Sequence, residues 1–313
     1  MSHIVTLTIN PALDVTVSVD AVISGPKLRC GPPRLDPGGG GINVARVLHR
    51  LGAPTVALYA IGGLTGGRLR ALIDQEGFAH RPIAVAGETR QSFTARECST
   101  GRQYRFVLPG PTLGANEWQG LLETTVEMAE KADLVVASGS LAPGVPDDFY
   151  ARVAQALDRI GVRLALDSSG PGLSVTLAQA HVHLVQPNMN EIVELAGGQL
   201  AWPEGQADWA SRLIAQGRSE IVVVTHGAEG ALLVTRDRRT RVRPPPMQVN
   251  SAIGAGDSFM GGMCAGLVQG QSVIEAGALG MAAAAATLLT PGTQLCERED
   301  VERLRAEIEV FDL

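Results

Sequence analysis

Lysine is nearly missing from this sequence: Lys27 and Lys131 are the only two in 313 residues, so arginine carries almost all the positive charge. Positive charge is itself outnumbered, with 26 Lys plus Arg against 32 Asp plus Glu and a net charge of −6. A broad nucleic-acid surface is normally basic, so no nucleic-acid partner is expected. Cysteine is sparse: Cys30, Cys98, Cys264 and Cys296 are far apart without CxxC spacing, which indicates neither a zinc site nor a disulfide framework. Reduced thiols are the expectation. The longest run of small apolar residues, Gly277 to Leu289, is too short to span a membrane and reads as a buried helix. The opening MSHIVTLTINPALD lacks the basic start and apolar centre of a signal peptide, so a cytoplasmic location without a membrane partner is expected. Two nucleotide fingerprints are absent as well. No GxxxxGK[ST] occurs, and Gly254-Ala255-Gly256 is not completed as GxGxxG because Phe259 holds the third glycine position. A Walker-type site is thereby excluded, and a nicotinamide oxidoreductase is disfavoured.

What is present is a soluble-type composition, 45% hydrophobic and 19% charged. The length suits one large α/β domain with insertions or two ordinary domains. Apolar runs without alternation recur at Ile4 to Ile9, Thr55 to Tyr59, Leu134 to Ala137, Arg163 to Leu166, Val182 to Val185 and Ile221 to Thr225. Such runs mark strands buried on both faces of a parallel sheet. Amphipathic segments lie between them, among them Asn116 to Lys131, Pro146 to Ile160 and Pro203 to Gln216. The alternation predicts a three-layer α/β fold with a mostly parallel central sheet and right-handed crossovers. Asp14 to Val22 and Gln91 to Leu108 alternate apolar and polar residues instead, with a turn near Ser99-Thr100-Gly101. They read as half-exposed antiparallel strands of a small outlying sheet, formed by about 12–36 and 88–109, that serves as a lid, a dimer contact or a decorative hairpin. Helices are predicted from Gly256 to Leu289 and from Glu297 to Val310. No repeat or linker cuts the chain, so residues 1–313 read as a single domain.

The sharpest local signal is Asn250-Ser251-Ala252-Ile253-Gly254-Ala255-Gly256-Asp257-Ser258, which opens an apolar helix. Glycines at a helix start expose amides that, with the helix dipole, form an anion site. Asp257 there is an ordinary N-cap or, with a phosphoryl group held by Gly254, Ala255 and Gly256, a base for an attacking hydroxyl. Asn188-Met189-Asn190-Glu191 follows a strand end, where open α/β sheets bind ligands. Asn188 and Glu191 suit either a cap or a hydrated magnesium ion. Thr225 to Gly230 ends another strand, as a nucleotide-lining turn or a plain hairpin. Lys27, Arg90 and Arg105 sit in or beside the small sheet, as solvated cations or as a fork for a phosphate. His181 and His183 alternate on a strand without an acidic partner nearby in sequence, so a metal site is not expected there. Gly38 to Gly41 precede a helix near Ile42, as a flexible linker or as backbone that touches a ligand.

Together these segments resemble the ribokinase-like sugar kinases, specifically their phosphofructokinase B branch. The resemblance runs end to end through Asn10-Pro11-Ala12-Leu13-Asp14, Gly38 to Asn43, Gly139-Ser140-Leu141, Asn188 to Glu191 and Gly254 to Asp257. Lys27-Leu28-Arg29-Cys30, Gln103 to Val107, Asp167-Ser168-Ser169-Gly170 and Gly292 to Cys296 resemble the bacterial minor-type 6-phosphofructokinases within it. The resemblance implies an ATP-dependent kinase that phosphorylates fructose 6-phosphate at its C1 hydroxyl, a ribokinase-like fold and a homodimer clasped through the lid sheet. It further implies that Asp14, Gly39, Asn43 and Ser140 face the sugar, with Gly40 kept free of a side chain to leave room for it. Arg90 and Arg105 would take the sugar phosphate, Lys27 and Arg29 would reach the neighbouring subunit's site, and Asp257 would be the base. Asn188 and Glu191 would organise magnesium and ATP phosphates, Thr225, Gly227 and Gly230 would line the nucleotide, and Ser251 and Ile253 match a region that often binds potassium through main-chain oxygens. Gln186 departs from a lysine frequent in the family, which implies altered nucleotide handling. Fructose 1-phosphate and tagatose 6-phosphate kinases are the near alternatives. A non-catalytic sugar-phosphate sensor is the distant one, and the intact GAGD and NxxE segments disfavour it.

Overall fold

The computed structural model describes residues 3–313. The chain begins with β1 (Ile4–Thr8), β2 (Ala12–Val19), β3 (Arg34–Gly38), α1 (Gly40–Arg50), β4 (Thr55–Ile61), α2 (Gly63–Glu76) and β5 (Ala79–Ala84). It continues through β6 (Arg90–Glu97), β7 (Gln103–Val107), α3 (Ala115–Ala129), β8 (Leu134–Ser138), α4 (Phe149–Arg159), β9 (Arg163–Asp167) and α5 (Gly170–Gln179). Then come β10 (Val182–Val185), α6 (Met189–Ala196), α7 (Glu204–Ala215), β11 (Ser219–Thr225), β12 (Ala231–Val234) and β13 (Arg239–Arg243). The last elements are α8 (Ala255–Val268), α9 (Val273–Leu288), α10 (Arg298–Arg305) and β14 (Glu309–Asp312).

Ten strands form one sheet in the order β14-β13-β12-β11-β10-β9-β8-β1-β4-β5. It is parallel from β5 to β11 and antiparallel beyond. The continuous apolar strands are explained by burial on both faces. In β1 and β8, Val5, Leu7, Val135 and Ala137 pack against helices α3 to α7, while Ile4, Leu134 and Val136 pack under α1, α8 and α9. The three layers predicted from the sequence are therefore present. Glycine lets the two apolar helices approach: a Cβ at Gly262 of α8 would lie 2.9 Å from the Gly280 Cα of α9. No described helix is long and apolar enough to cross a membrane. All four cysteines are free thiols.

The small sheet has four strands, in the order β3-β2-β6-β7. Its pairing differs from the all-antiparallel expectation: β2–β3 and β6–β7 are antiparallel, but β2 and β6 run parallel, from Ala12 beside Arg90 to Val19 beside Glu97. The reason is topological, because both strands leave the rim of the large sheet in the same direction. The predicted helix over Glu297 to Val310 is also corrected. It stops at Arg305, and Glu309–Asp312 becomes an edge strand on β13. Arg243 fixes that edge, donating from Nε to Glu309 at 2.9 Å and standing 5.2 Å from the Phe311 ring centroid. The other edge, β5, contains Pro82, which lacks a ladder donor and is tolerated because no strand pairs beyond it.

Candidate active site

The carboxyl ends of β1, β8, β9 and β10 and the first turns of α1 and α8 converge under the small sheet. Strand alternation gives that sheet two faces. Asp14 and Thr16 of β2, Asp36 of β3, Arg90 and Ser92 of β6 and Arg105 of β7 share the polar face by register. Between it and the large sheet lies a cavity of about 300 Å³ lined by residues that include Asp14, Gly39, Gly40, Asn43, Arg90, Arg105, Ser140, Asp167, Glu191, Ile253, Gly254 and Asp257. Residues from 14 to 257 thus meet in one place.

Asp257 stands in the first turn of α8, whose N-cap Gly254 has φ +79°. That left-handed conformation favours glycine, and a Cβ at 254 would lie 2.5 Å from Leu295 Cδ2, so that a larger residue would also displace the leucine. Asn43 Nδ2 donates to Asp257 Oδ2 at 2.8 Å, while Asn43 Oδ1 is buried without a hydrogen-bond partner among the described residues. One end of the amide thus holds the carboxylate, and the other has no partner. Burial pushes the Asp257 carboxyl above its ordinary pKa, opposed by the Asn43 hydrogen bond, Ser138 and Arg105.

Asp14 and Asp167 are perturbed as well. Burial raises Asp14 to about 6, with Arg105 and Arg90 pulling it down. Burial, then Asp257 and Glu191, push Asp167 up to about 8, although it accepts from Ser138 Oγ at 3.2 Å. Asp167 appeared in the sequence only within a family-like segment and was not assigned a role. The signal that could have found it is an acid as the last residue of an apolar strand, at the edge where ligands bind.

Arg90 is held at the foot of β6: Nε and Nη2 donate to the Asn10 carbonyl at 3.3 and 3.1 Å, and Nη1 to the Leu108 carbonyl at 3.2 Å. Ser140 Oγ accepts from Asn10 Nδ2 at 3.4 Å. Lys27 and Arg29 are exposed in the 20–33 segment and do not line this cavity. At Gly39 and Gly40 the crowding comes from protein before any sugar. A Cβ at Gly39 would lie 2.8 Å from Thr8 Cγ2, and one at Gly40 would lie 3.0 Å from the Gly139 nitrogen. The helix α1 therefore starts at Gly40, earlier than Ile42, with its backbone pressed on β1 and β8.

Asn188 and Glu191 form the capping box of α6. Asn188 Oδ1 accepts from the Glu191 amide at 3.1 Å, and Glu191 Oε2 accepts from the Asn188 amide at 2.8 Å. The box spends one Glu191 oxygen and still leaves Glu191 on the cavity wall, with burial raising its carboxyl. A parallel bridge sets Asn188 beside Thr225. Thr225, Gly227 and Gly230 line a second cavity of about 330 Å³ that abuts Gly256. Gln186 lines neither cavity; it is buried behind α8, where Nε2 donates to the Gly256 carbonyl at 3.0 Å. The carbonyls of Ser251 and Ile253 accept no hydrogen bond from another described main-chain group. His181 and His183 do find an acid in space, Glu220 of β11, at 3.3 and 2.9 Å. Among the described residues no three His, Cys, Asp or Glu converge as a metal cage.

The sequence pattern of the pfkB family carbohydrate kinases matches residues 10–300. The chain is 48% identical over 301 residues to the ATP-dependent 6-phosphofructokinase isozyme 2 of Mycobacterium tuberculosis, covering 96% of this chain and 88% of that protein. It is 35% identical over 274 residues to the 1-phosphofructokinase of Xanthomonas campestris, covering 87% and 86% of the two chains. Phosphofructokinase-2 from Escherichia coli superposes with a TM-score of 0.94 in complex with potassium, at 37% identity over 98% of this chain and 99% of that one. In complex with fructose-6-phosphate it gives 0.92, at 36% identity and the same coverage. The match spans most of the chain, in sequence and in fold: the chain belongs to the pfkB family of carbohydrate kinases.

Proposed function

We propose that the protein transfers the γ-phosphoryl group of ATP to the C1 hydroxyl of fructose 6-phosphate, giving fructose 1,6-bisphosphate and ADP. The observation that carries this reading is the Asn43–Asp257 pair beside the Gly254–Gly256 turn, in the cavity that Arg90 and Arg105 also line. Arginine forks suit the 6-phosphate, and Asp14, Gly39, Asn43 and Ser140 lie where sugar hydroxyls would be held. Asp257 is an acid with an ordinary pKa near 3.9, raised here by burial, and takes the C1 proton only as the oxygen attacks phosphorus. Amides of Gly254, Ala255 and Gly256, with the α8 dipole, stabilise charge on the transferring group.

Magnesium neutralises phosphate charge in such transfers. The grouping of Glu191, Asp167 and the Asn188 turn fits a hydrated ion held through its waters, since hard oxygen donors are gathered without a closed cage. Free carbonyls at Ser251 and Ile253 suit potassium. Gln186 would act on the nucleotide indirectly, through Gly256. Residues 1–313 would form one kinase domain with the small sheet as its lid. The outer face of that sheet carries Leu35, Val15, Phe93 and Phe106 in one cross-strand row, with Leu35 and Phe93 each 37% and Phe106 55% exposed. Such a row suits an isologous dimer contact, from which Lys27 and Arg29 would approach the partner's cavity.

Release of ADP measured with fructose 6-phosphate, fructose 1-phosphate, tagatose 6-phosphate and fructose tests the reading. Fructose 6-phosphate is expected to give the highest kcat/KM. Preference for fructose 1-phosphate would assign the activity named for the Xanthomonas relative, and turnover of fructose alone would remove the phosphate role of Arg90 and Arg105.

A further inference from the structure

One turn beyond Asn43 on α1, Arg46 is 2% exposed and does not line the cavity. Its Nε donates to Glu76 Oε1 at 2.8 Å and its Nη1 to the Thr293 carbonyl at 2.9 Å. Arg50, a further turn along, donates from Nη1 to the carbonyls of Gln294 and Cys296 at 2.5 and 2.9 Å, and from Nη2 to Glu76 Oε2 at 3.4 Å. None of these three carbonyls accepts from a described main-chain amide. The two arginines therefore supply the donors that the connection between α9 and α10 lacks. Leu295 stands among those carbonyls, fully buried at φ +62°, the one described non-glycine residue in the left-handed region. A bulky residue keeps that conformation only where its surroundings hold it. Its Cδ2 is the atom that a Cβ at Gly254 would strike.

We infer that Arg46 and Arg50 are positioning residues for phosphoryl transfer, setting the anion-binding turn of α8 from behind through Leu295; this rests on the function proposed above. The body of α8 is fixed by direct packing on α1, since a Cβ at Gly261 would lie 2.7 Å from Val47 Cγ1. Its first turn has no such anchor of its own. Two of the three residues Gly254, Ala255 and Gly256 are glycine, and the N-cap makes no side-chain hydrogen bond. Amides that stabilise developing charge must already stand in place: losing one costs about 10² to 10³ in rate, and a shift of about 1 Å costs about 10². Leu295 supplies the missing backing, and the arginines fix Leu295 by gripping the carbonyl on either side of it. Glu76 of α2 accepts from both guanidinium groups and so orients them as one unit. A single helix thereby sets the base, through Asn43, and the turn beside it, through Arg46 and Arg50. Lysine cannot replace a fork of this kind, because one ammonium does not span two partners in fixed directions.

The test compares Arg46→Lys, Arg50→Met and Leu295→Ala with the wild type, the folded fraction of each being fixed by its melting curve and far-UV spectrum. In each variant kcat per folded molecule with fructose 6-phosphate is expected to fall about 10- to 100-fold. KM for the sugar phosphate, which the lid holds, is expected to stay within about threefold. A structural role alone would lower the melting temperature and leave kcat per folded molecule at the wild-type value, and that result overturns the inference. In the Leu295→Ala background, Arg50→Met is expected to cost no more than about a further twofold, because both act on one turn; losses that multiply overturn the inference. If Arg46→Lys does not fold, Arg50→Met and Leu295→Ala decide by the same limits. If the wild type phosphorylates none of the sugars, the proposed function fails and nucleotide binding decides the inference. The preference for adenylyl imidodiphosphate over ADP, read by calorimetry, is then expected to shift about tenfold against the triphosphate analogue in Arg50→Met. An unchanged preference, or no binding of either nucleotide to the wild type, overturns it.

Discussion

At the scale of single residues the candidate site centres on one amide, that of Asn43. Asn43 donates to Asp257 and thereby favours its ionised form, while its own oxygen remains free. Replacing Asp257 by Asn is expected to leave the far-UV spectrum and sugar-phosphate binding intact and to lower kcat by about 10² to 10⁴, the usual worth of a positioned base. Turnover near wild type would remove Asp257 from the mechanism. Asn43→Ala acts differently. Without the hydrogen bond the Asp257 carboxyl rises further, so the acid limb of the kcat/KM profile moves to higher pH. A charge-assisted hydrogen bond is worth about 1.5–3 kcal/mol, so kcat/KM at neutral pH is expected to fall roughly 10- to 100-fold. A pH profile that keeps its acid limb in place would separate Asn43 from the base.

At the scale of elements, the four-stranded sheet divides its labour by the two-residue period of a strand. Its polar face supplies Asp14, Arg90 and Arg105 to the cavity, and its apolar face presents Leu35, Val15, Phe93 and Phe106 outward. Phe93 and Phe106 are themselves in contact, with ring centroids 6.1 Å apart. Phe93→Asp places a charge at the middle of that row without touching the cavity face. Sedimentation velocity is expected to show a monomer for this variant and a dimer for the wild type; an unchanged sedimentation coefficient would move the interface elsewhere. The alternation in Asp14 to Val22 and Gln91 to Leu108 made this sheet legible beforehand. The parallel pairing of β2 with β6 was not, because alternation is the same for either direction of the neighbour.

For the molecule as a whole, gathering carboxylates at one end of the sheet costs stability in the absence of ligand. Asp167, held at about 8, keeps its proton in the folded chain while the unfolded chain releases it near pH 4. Between those values the folded state binds more protons, so stability falls as pH rises and levels off above about 8, the folded pKa. The melting temperature without ligands is expected to drop by several degrees from pH 5 to pH 8, at roughly 2 °C per kcal/mol for a chain of this size. Asp167→Asn should flatten that slope. A slope unchanged in the variant would place the proton linkage on another group.

The sequence alone determined the layered α/β architecture, because strands buried on both faces must be continuously apolar and helices between them must be amphipathic. It also marked the helix start at Gly254 to Asp257, where local chemistry demands glycine beside an acid. Tertiary structure alone decided which distant residues meet. Asn43 reaches Asp257 across 214 positions, and Glu220 reaches His183 across 37. The reason Gly40 is glycine was likewise set at the end of β8, where Ser138 and the following Gly139 fill the space its side chain would need. Burial and proximity are properties of the packed chain, and so are the raised pKa values they produce: the sequence marks Asp167 as an acid at the end of an apolar strand, and only its burial beside Asp257 and Glu191 raises its carboxyl.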